Sequence, residues 1–237
     1  MIKFITRILF PPLIRLLFAA SVTGRKNMPA HGGVIIASNH LSFFDSVIIT
    51  ILSRRAVSFL AKEEYFTGTG FKGWLSKAFF ESIGAIPVNR SSANAAQDAL
   101  DAGLERLRDG ESFAMYPEGT RSLDGRLYRG KTGVAWLALT AGVPVVPVAL
   151  KGTDKIQPVG SSGIRLAKLS IEYGEPMDLS VFGDAASGKA RREATDAIME
   201  KIQKMSGQEY AGIYNEKPAT TIAKKVKRLF RGRAPLT

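Results

Sequence analysis

Cysteine is absent from all 237 residues. Its absence excludes disulfides, thiolate metal ligands and a cysteine nucleophile, and it fits a protein facing the cytosol. Histidine is nearly absent too: only His31 and His40 occur. Neither belongs to a His-x-x-x-His pattern, and there is no Rossmann glycine series and no phosphate-binding Gly-Lys-Ser/Thr loop. No metal site is therefore expected. Uninterrupted apolar runs approaching the roughly 20 residues of a spanning helix are also lacking, as are internal repeats and low-complexity linkers.

Acidic residues are missing from both ends. Residues 1–26 carry five basic residues (Lys3, Arg7, Arg15, Arg25, Lys26), and residues 217–237 carry seven (Lys217, Lys224, Lys225, Lys227, Arg228, Arg231, Arg233), with no acid in either stretch. Those twelve account for the whole net charge of +12, so the body between them is neutral. A nucleic-acid enzyme spreads its basic residues around a groove, and no nucleic-acid partner is expected. Basic, apolar ends are what an anionic membrane attracts, at about 1 kcal/mol per nearby Lys or Arg.

The first residues only partly resemble a signal peptide, because Arg7, Pro11, Pro12 and Arg15 break the apolar run. At helical spacing Lys3, Arg7 and Arg15 fall on one side and Ile2, Ile5, Leu9, Leu13 and Leu16 on the other. Residues 1–24 read as an amphipathic helical segment, bent or restarted at the proline pair. It either lies in a membrane interface or packs on the body. Residues 25–210 form the main domain. Residues 211–237 form a basic tail in which Ile222, Val226, Leu229 and Phe230 recur at helical spacing. That tail is either an amphipathic surface-binding helix or a solvated extension.

Within the body, short apolar runs at 33–38, 57–61, 84–88, 112–116, 144–150 and 168–173 read as strands. Helical patterns at 45–53, 70–80, 93–109, 131–141 and 188–206 fall between them. This alternation predicts a single α/β layered domain with a mixed, largely parallel central sheet flanked by helices. Pro144 and Pro147 predict a strand that starts at one proline and is an edge or irregular near the other. Residues 63–80 gather Phe66, Phe71, Trp74, Phe79 and Phe80 around three glycines. These rings either serve the core or form an apolar wall for an acyl chain, or a lip that dips into lipid.

His40 follows the first apolar run, where the ligand sites of open α/β sheets cluster. Asp45 lies five residues on. The two side chains meet if His40 occupies the turn and Asp45 the first helical turn, where a carboxylate also suits the helix dipole. A carboxylate on one imidazole nitrogen leaves the other free as a base. Ser42 and Asp45 read equally well as a helix start that needs no chemistry. His31, beside Gly32-Gly33, reads as an exposed loop residue.

Asn39-His40-x-Ser42-x-x-Asp45 resembles the first signature block of the glycerolipid acyltransferases, the family of the bacterial 1-acylglycerol-3-phosphate acyltransferases. Gly84-Ala85-Ile86-Pro87-Val88-Asn89-Arg90 is similar to the second block, Tyr116-Pro117-Glu118-Gly119-Thr120-Arg121-Ser122 to the third, and Val143-Pro144-Val145-Val146-Pro147-Val148 to the fourth. The blocks keep the family's order and spacing across residues 39–148. The resemblance implies that His40 takes the proton of an acceptor hydroxyl as it attacks a thioester, with Asp45 stabilising the imidazolium. Ser42 is then structural. It further implies a phosphate pocket from Arg90, Arg121 and the Glu118-Gly119-Thr120 turn, with Lys62 near the phosphate and Lys131 with Gly133 as a downstream pattern. Asn39, Gly84, Pro117 and Pro147 complete the blocks, and backbone amides near the third block would serve as oxyanion donors. Asn89 stands where many relatives carry aspartate.

The implied acceptor is lysophosphatidic acid, giving phosphatidic acid. The implied donor is acyl-CoA or acyl carrier protein as co-substrate, with no cofactor. The implied place is the cytoplasmic face of the cell membrane, as a peripheral or monotopic protein on an anionic surface. Glycerol 3-phosphate or another lysolipid is an alternative acceptor. A non-catalytic lipid-binding protein and a hydrolase are alternatives of other classes.

Overall fold

The computed structural model describes residues 8–89, 94–158, 161 and 163–215. Seven strands form one sheet: β1 (Ser21–Thr23), β2 (Val34–Ser38), β3 (Val57–Lys62), β4 (Ala85–Val88), β5 (Ser112–Met115), β6 (Val145–Lys151) and β7 (Ser170–Tyr173), in the order β1-β7-β6-β2-β5-β3-β4. All pairs are parallel except β6 with β7. The mixed, largely parallel sheet expected from the sequence is the one observed. The short β1, with polar Ser21 and Thr23, carries too little apolar signal to be read as a strand beforehand.

The helices are α1 (Phe10–Leu17), α2 (Phe44–Leu52), α3 (Gly70–Ser82), α4 (Ala95–Arg108), α5 (Gly133–Ala141), the single turn α6 (Thr153–Ile156) and α7 (Gly188–Ser206). Every residue of β2 is buried, as expected of a strand covered on both faces. Because side chains alternate across a strand, Val34 and Ile36 enter one core layer with α2 and α3, while Ile35 and Ala37 enter the other with α4, α5 and α7. Phe10 and Ile14 of α1 pack onto the first layer.

Of the two alternatives at Pro147, edge or irregular, the structure shows the second. β6 is an interior strand between β2 and β7, not an edge. The irregularity falls on the β7 side, where the pairing shifts by one residue between Val148↔Tyr173 and Val145↔Met177. In this bulge the Gly174 amide donates to the Pro147 carbonyl at 2.8 Å. A side chain on Gly174 would lie 2.8 Å from the proline ring, so the ring occupies space that only glycine leaves free. An interior proline is accommodated at such a bulge because no ladder donor is required of it there.

α1 begins at Phe10 with Pro11 and Pro12 in its first turn, where missing amide donors cost nothing. The proline pair thus starts this helix. Its inner face packs on the body, while Leu9, Leu13, Leu16 and Leu17 remain exposed. The alternative in which this segment packs on the body describes its inner face. Lys3 and Arg7, and the tail from residue 216 onward, lie outside the described residues. Among the described residues no helix is long and apolar enough to cross a membrane.

Candidate active site

His40 follows β2 and Asp45 sits in the first turn of α2. His40 Nδ1 and Asp45 Oδ2 are 2.8 Å apart, with Asp45 fully buried and the imidazole 18% exposed. The same carboxylate oxygen accepts the amides of Leu41 at 2.6 Å and Ser42 at 2.8 Å. The helix-start reading is corrected: the N-cap is Phe43, which carries no side-chain cap, and the Asp45 carboxylate ties down the loop amides ahead of the helix as well as the imidazole. With Nδ1 held by Asp45, Nε2 remains for the cleft that His40 lines. Ser42 is buried, and its Oγ accepts the Phe44 amide at 3.3 Å.

The third block holds His40 from the other side. Tyr116 stacks on the imidazole with ring centroids 3.8 Å apart and 9° between the planes. Its hydroxyl is 2.7 Å from Ser46 Oγ on α2. Burial first, and then the Asp45 charge, hold this phenol well above the usual range, so it stays neutral. Ser122 donates its amide to the His40 carbonyl at 2.7 Å.

Glu118 is fully buried. Its Oε1 accepts the His40 amide at 3.0 Å and its Oε2 the Tyr128 amide at 2.9 Å. Burial pushes its carboxyl up to about 7, opposed by the bonds from Tyr128 and His40 and reinforced by the Asp45 and Asp124 charges. Glu118 is spent on loop amides and is not aimed at the cleft.

Arg121 and Lys62 reach the cleft that holds His40. Both are exposed, so an anion there would meet two cations without a desolvation penalty built into the fold. The cleft measures about 120 Å³, and Phe43, Tyr65, Phe80 and Tyr116 line its apolar side. That volume falls below the roughly 300–1,000 Å³ of sites that enclose whole ligands, so it accommodates only the reacting ends of two large substrates.

Gly119 has φ +77°, and a side chain there would lie 3.1 Å from the Lys131 chain, which crosses it. Lys131 also donates its amide to the Pro117 carbonyl at 2.8 Å. The Gly119 amide bonds the Tyr116 carbonyl within the turn, so it and the Ser122 amide are already engaged. The Thr120 and Arg121 carbonyls accept from the Asn215 side chain at 3.5 and 3.1 Å. Arg90 lies outside the described residues, and Asn89 directly follows β4. Gly84 sits at the opposite end of the sheet from His40. Its φ of +81° and the Val57 carbonyl, 2.4 Å from where a Cβ would stand, make it a backbone position.

Asn39 is buried and replaces a missing stretch of ladder. Its side chain accepts the Leu150 amide at 2.8 Å and donates to the Leu150 carbonyl at 2.9 Å and to Gln208 at 2.7 Å. Gln208, Asn215 and Ser46 carry no sequence signal for the site. Tyr116 stands inside a recognised block, but nothing in the sequence shows that its ring meets His40.

The acyltransferase family model matches residues 19–151, a span that holds the dyad, the cleft and six of the seven strands. The chain belongs to the acyltransferase family. Its fold superimposes on the crystal structure of the 1-acyl-sn-glycerophosphate acyltransferase PlsC from Thermotoga maritima with a TM-score of 0.65, at 25% identity, over 86% of this chain and 79% of that one. It is 26% identical over 186 residues to the 1-acyl-sn-glycerol-3-phosphate acyltransferase of Bacillus subtilis, covering 78% of this chain and 86% of that protein. It is 37% identical over 149 residues to the chloroplastic enzyme BAT2 of Brassica napus, covering 62% of this chain. The chain spans 41% of the length of that plant relative. Among the described residues no group of acidic or histidine side chains is arranged to hold a metal.

Proposed function

We propose that this acyltransferase-family chain moves a fatty acyl group from acyl-CoA or acyl carrier protein to the free hydroxyl of lysophosphatidic acid, forming phosphatidic acid. The observation that carries the reading is the His40–Asp45 pair at 2.8 Å, set in a cleft whose rim bears Lys62 and Arg121. His40 Nε2 takes the proton of the acceptor hydroxyl as its oxygen attacks the thioester carbonyl. The Asp45 carboxylate stabilises the imidazolium, which then protonates the departing thiolate. Arg121 and Lys62 hold the acceptor's phosphate as charge-assisted donors, and Arg90 joins them on the family resemblance. Attack is direct, so no enzyme nucleophile and no cofactor is required.

The relatives' names support this acceptor. The exposed basic and apolar residues support a peripheral or monotopic place on an anionic membrane surface, at its cytoplasmic face. The purified chain, given one labelled acyl-CoA and a panel of lysophosphatidic acid, glycerol 3-phosphate and other lysolipids, is expected to label the first. His40→Ala, checked for an unchanged fold, is expected to abolish transfer, and full activity in it removes the general base. Deletion of residues 217–237 is expected to weaken binding to anionic vesicles in a salt-sensitive manner. Unchanged binding removes the tail from the membrane contact.

A further inference from the structure

Strand direction divides the molecule into two ends with different surfaces. The carboxyl ends of β2, β3, β4, β5 and β6 share one end of the sheet, and His40 stands there. α3 begins after β3 and descends to β4, so Phe71, Trp74 and Leu75 on its first turns stand at that end too. Ser21 and Ser170 pair level with Lys151 at the end of β6, which brings Leu16 and Leu17 of α1 to the same end, with Ile164 and Leu166 just before β7. Leu123 follows the third block there.

All of these apolar side chains are exposed, Leu16 at 81%, Phe71 at 74% and Leu166 at 72%. Isolated exposed hydrophobics are ordinary, but a set gathered at one end around a cleft marks a contact surface.

We infer that Phe71, Trp74 and Leu75 form a lip that inserts into the interfacial layer of a lipid bilayer and seats the mouth of the His40 cleft on the lipid surface. Phe71 and Trp74 stack with centroids 5.9 Å apart, giving a rigid aromatic pair of the kind that settles at the boundary of headgroups and acyl chains. The pair's base is rigid as well: a Cβ on Gly73 would lie 2.0 Å from the Gly68 carbonyl, so helix and loop touch backbone to backbone. Charge favours an anionic surface, because Lys72 lies between the rings with no acid on α3 before Glu81, which is 3.8 Å from Lys77. Phe80, nine residues along the same helix and therefore half a turn round it, is buried and lines the apolar side of the cleft. One helix thus presents its inner face to the cleft and its exposed aromatic face to the surroundings at the same end of the sheet. This inference rests on the reading of a lipid acceptor.

The chain's two tryptophans are Trp74 and Trp136, and Trp136 packs half-buried in the opposite core layer. Trp136→Phe therefore leaves a reporter at the lip. With phosphatidylcholine–phosphatidylglycerol vesicles, Trp74 emission is expected to shift to the blue and to be quenched by bromine-labelled acyl chains. Replacing Phe71, Trp74 and Leu75 together by serine is expected to weaken vesicle partitioning by at least about tenfold and to leave turnover of a short-chain, water-soluble acceptor unchanged. Vesicle-bound protein with an unshifted, unquenched Trp74 overturns the lip, and so does absence of vesicle binding. Loss of short-chain turnover in the triple variant, or a dimer in sedimentation that the variant dissolves, also overturns it. Insertion of Trp74 without turnover of any acceptor sinks the acyltransferase reading and leaves the lip standing.

Discussion

Asp45→Asn separates the charge of the dyad from its geometry. Three donors, His40 Nδ1, Leu41 N and Ser42 N, converge on Oδ2. Oδ1 is buried with no partner among the described residues. An asparagine whose oxygen takes the Oδ2 position keeps all three bonds. Its NH2 then falls where Oδ1 was, buried without an acceptor. The flipped amide would set its NH2 against two backbone N–H groups, so Leu41 and Ser42 dictate the orientation. The imidazole tautomer is thereby preserved, and the change isolates the carboxylate's charge.

A hydrogen bond to a charged group contributes about 1.5–3 kcal/mol and a neutral one about 0.5–1.5. Removal of imidazolium stabilisation should therefore cost about 1.3 kcal/mol, which is roughly tenfold in kcat. The fold should lose little, since an unpartnered NH2 (about 1–3 kcal/mol) replaces a buried charge that was itself expensive. The assay is kcat and kcat/KM against pH, alongside thermal unfolding. A kcat within threefold of the parent refutes the assignment of charge stabilisation to Asp45. A loss near 10⁴-fold, the size expected when the wrong tautomer is trapped, refutes the orientation argument.

Three further outcomes follow from the geometry. Glu118 has a folded-state pKa of about 7 against an ordinary 4.5, so between those values the folded state holds a proton that the unfolded state has released. Stability should fall by about 2–3 kcal/mol as pH rises from 4.5 through 7. Denaturant titrations at several pH values should show this slope in the parent and a shallower one in Glu118→Gln, and equal slopes sink the idea. Arg121→Ala should raise the acceptor KM about tenfold and keep part of kcat, whereas an unchanged KM removes Arg121 from the phosphate pocket. Asn39→Leu strands the buried Leu150 amide and carbonyl and should destabilise by about 2–4 kcal/mol in urea unfolding. A loss below 0.5 kcal/mol would show that water or Gln208 takes over both groups.

Local patterning made most of the elements legible. Buried parallel strands show as unbroken apolar runs such as Val34–Ser38, and α7 is bounded by the Ser187 cap and Gly207, both visible in sequence. β1 was not legible because its pairing with β7, 149 residues away along the chain, creates it. Pro147 left edge and irregularity both open for a related reason. A proline signals a missing donor, but whether a bulge absorbs that loss depends on Gly174 of the neighbouring strand.

The sequence by itself determined the kind of chemistry available: one histidine with a carboxylate at a workable spacing, no thiol, cationic residues in recurring blocks, and charge surplus confined to the ends. Such properties belong to residue types and short spacings, which survive without coordinates. Only the tertiary structure decided how those residues act together. It placed Asp45 under three donors, turned Glu118 inward to two backbone amides, stacked Tyr116 on His40 and divided the aromatic run 66–80 into a buried wall and an exposed lip. Each of these depends on which strands lie side by side and on which end of the sheet a helix begins, and both are properties of long-range packing.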